Sequence, residues 1–471
     1  MVFSSITFLF KFLPIALGLY FIVPSKFKNG CLFLISLIFY SWGEIKFFPI
    51  LILSTVVDYF LSHLIQYFDS KKSLRKLCLL LSLTFNLGML FFFKYADFFI
   101  ENINSSLGFD FPLLNLTLPL GISFYTFQTL SYTIDVYRRE IKPEKNIITF
   151  GTYISMFPQL IAGPIVKYSQ IEKQLHSPNT RIDLNRIDEG IKLFVIGLAK
   201  KVLIANNIGA LWTEVTQLGY SEISTGLAWL AVIAYTLQIY FDFSGYSLMA
   251  IGLGKMLGFD FPQNFNFPYI SQSITEFWRR WHISLSSWFK EYVYIPLGGN
   301  RDGAHSLNVL GVSWRGYRQI FNLLVVWLLT GFWHGSEWNF ILWGLYYFTF
   351  LALEKLFLSK IIRNKLLSHI YTMVVVMVGW AIFAISDFEQ LVTFLKVMFT
   401  PTDGISALYF IRNYGFVILL GAILSTQIPI FLYKKISKYK VFEIIAIILL
   451  FLASVAYLVD ATYNPFLYFR F

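Results

Sequence analysis

Charge is scarce in this sequence. Asp, Glu, Lys and Arg make up 14% of its 471 residues, against about 25% in an average soluble domain, so there is too little charge to cover a water-facing surface of this size. Cysteine is nearly missing. Cys31 and Cys78 sit in or beside apolar runs, which excludes a disulfide framework and a cysteine-based metal set. There is no Walker A pattern, because Gly254 and Lys255 lack the upstream glycine and following Ser or Thr of a phosphate cradle. The G-x-S-x-G elbow and the H-E-x-x-H helix are absent as well. No Gly/Ser linker or low-complexity tract appears, and the longest polar stretch runs only from Lys167 to Asp188. A single membrane domain over residues 1–471 is therefore expected.

Apolar residues fill the chain instead, at 56% hydrophobic and 19% aromatic with a mean hydropathy of +0.62. Runs such as Ile223 to Phe241, Leu366 to Ser386 and Asn413 to Tyr433 hold no Asp, Glu, Lys or Arg. Each is long enough to cross about 30 Å of hydrocarbon as a helix. A membrane β-barrel would alternate polar and apolar residues, and these runs do not. The first run, Ile6 to Val23, is broken only by Lys11 and lacks a small-residue cleavage site, so it reads as a retained helix. Candidate spans fall near 5–24, 30–43, 47–68, 77–95, 117–136, 149–166, 190–212, 223–258, 319–352, 368–386, 411–433 and 441–460. The second of these is short, and 117–136 is interrupted by Pro119 and Gly121 and fits a re-entrant segment. About eleven crossings are expected.

The net charge of +11 is gathered in short clusters between apolar runs: Lys71, Lys72, Arg75 and Lys76; Arg138, Arg139, Lys142 and Lys145; Lys434, Lys435, Lys438 and Lys440. That is the pattern of cytoplasmic loops beside anionic lipid, and it argues against a nucleic-acid partner.

Polar residues inside apolar sequence concentrate between 237 and 345. Leu237 to Gly245 reads LQIYFDFSG and places Asp242 within a span, where pairing with an intramembrane Arg or Lys is the usual arrangement. From Ser273 to Arg301 the chain reads SITEFWRRWHISLSSWFKEYVYIPLGGNR. Its tryptophans fall on one helix side and Arg279, Arg280, His282 and Lys290 elsewhere, as in a segment lying at the headgroup level. His282 beside two arginines reads as readily as a residue merely solvated or bound to lipid phosphate as it does as a functional one. Leu323 to Gly344, LLVVWLLTGFWHGSEWNFILWG, carries His334 midway, with Gly331 and Gly335 leaving room for a second backbone or a substrate. His63, His176, His305 and His369 have no polar company that suggests chemistry. A lone deep imidazole, unperturbed near pKa 6.5, suits proton removal from a hydroxyl attacking an activated carbonyl, and thioester-driven acyl transfer needs no ATP site.

At these residues the sequence resembles the membrane-bound O-acyltransferase family, and within it the bacterial branch of alginate O-acetylation and its cell-wall relatives. The resemblance rests on LPLGISFYTFQTLSYTIDVYR at 118–138, FPQLIAGPIVKY at 157–168, LQIYFDFSGYS at 237–247, NFNFPY at 264–269, FWRRWHISLSSWFKEYVYIPLGGNR at 277–301 and LLTGFWHGSEWNFILWG at 328–344. It implies an all-α polytopic membrane protein whose helices ring a central funnel with a tunnel, with re-entrant and interfacial helices. His334 occupies the family's essential histidine position and His282 its second, with Trp333, Asn339, Asp242, Arg279 and Arg280 as positioning residues. The resemblance further implies acetyl-CoA as cytosolic acyl donor, no bound cofactor or metal, and an extracytoplasmic polysaccharide acceptor. An exported or membrane-anchored serine-dependent O-acetyltransferase would be the partner, and the bacterial cytoplasmic membrane the location.

Two features bear on the acyl group. Leu248 after Ser247 is usual in the related D-alanine transfer branch, whereas YIPLGGNR at 294–301 and the double Arg before Trp281 look like the acetylating one. Lys290, Glu291 and Tyr292 stand where the family reads R-D-Y, a change that conserves charge. Richness in Phe, Ile and Lys favours a cell-wall glycan over alginate. A transporter or flippase using Asp242 and His334, and a non-catalytic scaffold, are the rival classes, although no second copy of F-W-H-G or F-D-F-S-G supports an internal repeat.

Overall fold

A computed structural model describes residues 2–161, 163–177, 183–299 and 314–460. His305 and the end of the YIPLGGNR stretch, Asn300 and Arg301, lie outside the described residues. The chain is helical, with no strand among the described residues beyond a single bridge between Ile223 and Ile405. It gathers into two compact units, residues 1–198 with 246–262 and residues 199–245 with 263–471.

Among the described residues eight helices are long and apolar enough to cross a membrane, against the eleven or so expected. Part of the difference lies at 149–166. That run forms only Ile147–Ser155 and Phe157–Leu160, split at Met156 ahead of Pro158, and it is buried from Thr149 onward. Nine helical residues rise only about 14 Å, too little to span. Lys28–Glu44 and Ile122–Arg138 have 17 residues each, and Phe8–Ile22 is shorter still. The expected span 411–433 ends at Leu424 and restarts at Ile428, next to Pro429.

The most consequential correction concerns 319–352. It is two helices, Trp314–His334 and Trp338–Ile361, folded back on each other at Gly335–Ser336–Glu337. A Cβ on Gly331 would lie 2.3 Å from the carbonyl oxygen of Phe340, and one on Gly344 2.4 Å from that of Trp327. The two backbones therefore cross at glycines, in antiparallel register. A single helix of that length would rise about 50 Å, well beyond the hydrocarbon thickness.

In the first unit, Phe48–Tyr67, Lys72–Leu107 and Ile122–Arg138 are joined by hydrogen bonds through buried polar groups. Asp58 accepts from Ser82 Oγ at 2.5 Å and Asn86 Nδ2 at 2.8 Å, and Asn86 Oδ1 accepts from Ser54 and Thr129 at 3.1 Å each. Two of the basic clusters meet at one end of this unit. Arg75 and Arg139 both pair with Asp69, at 3.2 and 3.0 Å, as expected of loops retained on one face.

The second unit has an aromatic core. Phe277, Trp278, Trp281, Trp327, Trp343, Tyr347, Trp380 and Phe383 are all buried in one cluster. In the segment from Ser273, Ile274–Arg280 and Ile283–Phe289 turn Trp278, Trp281 and Trp288 inward, while Arg279 is exposed. Tryptophan rings pack against other rings here, edge-to-face for Trp278–Trp327 and tilted for Trp281–Trp380, with centroids 4.7 Å apart in both, so their apolar area is covered by protein.

Candidate active site

His334 is the last residue of the Trp314–His334 helix, because Gly335 and Ser336 end the helix and Glu337 is extended before the next one. The expected position midway along a span is thus replaced by one at a helix end. Both neighbouring glycines are required by the hairpin: Gly331 by the Phe340 carbonyl, and Gly335 by the Phe340 ring, which would lie 2.1 Å from an added Cβ. Their missing side chains admit the returning helix.

The imidazole of His334 sits among aromatic rings. Trp333 lies at 4.9 Å, Trp343 at 5.0 Å and Phe383 at 5.3 Å, all edge-to-face, and 7% of the residue is exposed. Asn339, on the returning helix, donates through Nδ2 to the carbonyls of Phe383 at 3.1 Å and Ile382 at 3.4 Å. Its Oδ1 has no protein donor and Trp343 Nε1 no protein acceptor among the described residues. One acceptor and one donor of this aromatic shell are therefore available to a bound group.

His282 reaches the same place from a different direction. Ser273 caps the Ile274–Arg280 helix by accepting from Glu276 N at 2.9 Å, the carboxylate of Glu354 accepts from Ile274 N and Thr275 N at 2.6 and 2.9 Å, and the helix ends at Trp281. His282 then takes a left-handed backbone, φ 44° and ψ 54°, before Ile283 starts the next helix. For a residue with a side chain that conformation costs on the order of 1–3 kcal/mol and needs the surroundings to hold it. Asn264 does so: its carbonyl accepts from Ile283 N at 3.0 Å and its Oδ1 from Ser284 N at 3.1 Å. The His282 ring contacts Phe243 at 4.8 Å and Trp333 at 6.1 Å, and burial pushes the imidazole down to about 3. A single indole, Trp333, thus touches both histidines.

Asp242, Arg279 and Arg280 are directed elsewhere. Asp242 forms a buried ion pair with Lys201 at 2.5 Å, Arg280 pairs with Glu276 at 2.8 Å, and Arg279 is exposed. Asp242 still marks the region, since the next residue, Phe243, covers His282. Asn264 has no signal in the sequence beyond its place in the NFNFPY stretch. The remaining described histidines are bound structurally: His63 to the Tyr59 carbonyl, His176 to Glu144 and His369 to the Ser271 carbonyl. Among the described residues no group of His, Cys, Asp and Glu could hold a metal ion.

Known proteins share sequence with this chain over most of its length. The chain is 38% identical to a probable alginate O-acetylase of Azotobacter vinelandii over the full length of both chains. It is 36% identical to a peptidoglycan O-acetyltransferase of Helicobacter pylori, over 86% of this chain and 81% of that one. A teichoic acid D-alanyltransferase of Streptococcus thermophilus is 30% identical over 51% of this chain and 58% of its own. A family model described as membrane-bound O-acyltransferase matches residues 37–395, a range that includes His282 and the hairpin carrying Trp333, His334 and Asn339. This multi-pass membrane chain is therefore an O-acyltransferase and belongs to the membrane-bound O-acyltransferase family.

Proposed function

We propose that this chain takes an acetyl group from cytosolic acetyl-CoA and passes it across the bacterial cytoplasmic membrane for O-acetylation of an extracytoplasmic glycan. The observation that carries this reading is the pair of buried histidines on one indole, Trp333, in a chain of apolar helices. His334 acts as general base in a tunnel through the protein. Its neutral imidazole takes the proton from an attacking hydroxyl as the oxygen bonds to the thioester carbonyl. The carbon–sulfur bond then breaks, and the imidazolium returns the proton to the departing thiolate, leaving an ester and the CoA thiol. Trp333 and Asn339 position the reacting groups, while exposed Arg279 and Lys290 supply charge for the CoA phosphates. A serine-dependent O-acetyltransferase on the outer side completes transfer to a cell-wall or exopolysaccharide glycan. The peptidoglycan acetylase among the relatives supports a cell-wall acceptor. D-alanyl transfer to teichoic acid is the second reading, favoured by Leu248 and by the more distant relative that covers half the chain.

The test is labelled acetyl-CoA supplied to the cytosolic face of membrane vesicles. Acetyl ester on an outer glycan that disappears in His334→Ala, by about 10²–10⁴-fold in rate, is the expected result. Normal delivery by His334→Ala removes that residue from the mechanism. Labelled D-alanine delivered in place of acetyl selects the second reading, and movement of an unmodified solute overturns the acyltransfer mechanism proposed for this site.

A further inference from the structure

Three donors converge on one oxygen in the second unit. Asn264 Oδ1 lies 3.1 Å from His282 Nδ1, 3.1 Å from Ser284 N and 2.9 Å from Ser284 Oγ, and Asn264 and His282 are each 1% exposed. A backbone N–H only donates, so the amide atom facing Ser284 N has to be the oxygen, and the orientation of the Asn264 side chain follows. An amide oxygen only accepts, so the Nδ1 facing it has to bear a proton. With the imidazole neutral, the lone pair is then on Nε2. The opposite tautomer would set the lone pair of Nδ1 against that of Oδ1 with neither group exposed to water. The ring has little freedom to turn away, since Phe243 stands edge-to-face at 4.8 Å and the left-handed backbone is tied down by the Asn264 carbonyl.

We infer that Asn264 is a positioning residue that fixes His282 as the Nδ1–H tautomer and so presents Nε2 as its basic nitrogen. The relevance of this to acyl transfer rests on the reading that places His282 at the reacting centre. The hydrogen-bond assignment itself does not. Asn264 does for His282 what a carboxylate does for the histidine of a hydrolytic triad, without adding a charge to the interior.

The test uses the full-length chain in lipid nanodiscs with ¹⁵N-labelled histidine, the His282 signals being those lost in His282→Gln. The wild type is expected to show a protonated Nδ1 and an unprotonated Nε2. Asn264→Leu is expected to move the proton to Nε2 and to lower acetyl transfer by about 10²-fold. Asn264→Asp, which keeps an acceptor for all three donors, restores Nδ1–H and recovers at least about 10-fold over Asn264→Leu. A wild-type proton on Nε2, or an Asn264→Leu protein that keeps it on Nδ1, overturns the inference. If Asn264→Leu does not fold, the wild type and Asn264→Asp decide it, and Nε2–H in either is the overturning result. Tautomers as expected with undiminished transfer in both Asn264→Leu and His282→Gln would uphold the positioning and remove His282 from the reaction.

Discussion

His282 stays neutral because it is sealed from water among Phe243, Trp333 and Asn264, with its imidazole pushed down to about 3 by burial. The unfolded chain takes up a proton there near pH 6.5, whereas the folded chain does not. Below pH 6.5 the unfolded state therefore binds more protons, and stability falls as the pH drops from 6.5 toward 3. The contribution is fully present above pH 6.5, and about 2 kcal/mol of it is lost at pH 5. Thermal unfolding of the purified protein at pH 7.5 and pH 5 measures this, with His282→Gln as reference. The wild type is expected to lose more on acidification than the variant by that amount, and equal losses would mean that His282 is protonated in the folded state.

The helical hairpin Trp314–His334 and Trp338–Ile361 depends on three small residues. At Gly331 an added methyl meets a backbone carbonyl, which cannot rotate out of the way, whereas at Gly335 it meets the ring of Phe340. Gly331→Ala is accordingly expected to part the two helices and to destabilise by about 1–3 kcal/mol, with His334 displaced from Trp343. Thermal stability in detergent together with acetyl transfer checks this, and a wild-type melting point would show that the two helices accommodate the methyl group. The same hairpin shows what the sequence could and could not convey. His334 and Trp333 stand out as polar and aromatic residues inside an apolar run, and their rings lie edge-to-face 4.9 Å apart. The turn did not stand out, because Gly335, Ser336 and Glu337 make only a brief dip between two apolar helices. Asn264 was unreadable for a related reason: its role depends on a contact with His282, 18 positions away and across a turn.

Helices that face lipid and helices that face protein follow different rules here. In Thr225–Met256, 78% of the apolar window is buried inside the protein and in Leu184–Leu218 67%, against 11% in Ala407–Leu424 and 22% in Lys440–Asp460. The ion pair between Lys201 and Asp242, 1% and 3% exposed, joins the two interior helices. Lys201 lies in a π-helical turn, Lys200–Ala205, that interrupts its helix, a feature that re-aims side chains and recurs at functional sites. The partners are 41 positions apart, and in the sequence Lys201 resembles a helix-end basic residue beside Lys200, so only Asp242 stands out there. An intramembrane charge pair belongs either to the scaffold or to an ion pathway, and these make opposite predictions. As scaffold, Lys201→Met or Asp242→Leu alone strands a buried charge and costs about 3–5 kcal/mol, whereas the double replacement by apolar residues of similar volume recovers most of it. Melting temperatures of the two single variants and the double variant, with acetyl transfer measured on each, form the cycle. Recovery of both stability and transfer in the double variant is the expected outcome. A double variant that is stable yet inactive would instead place the pair in the reaction path.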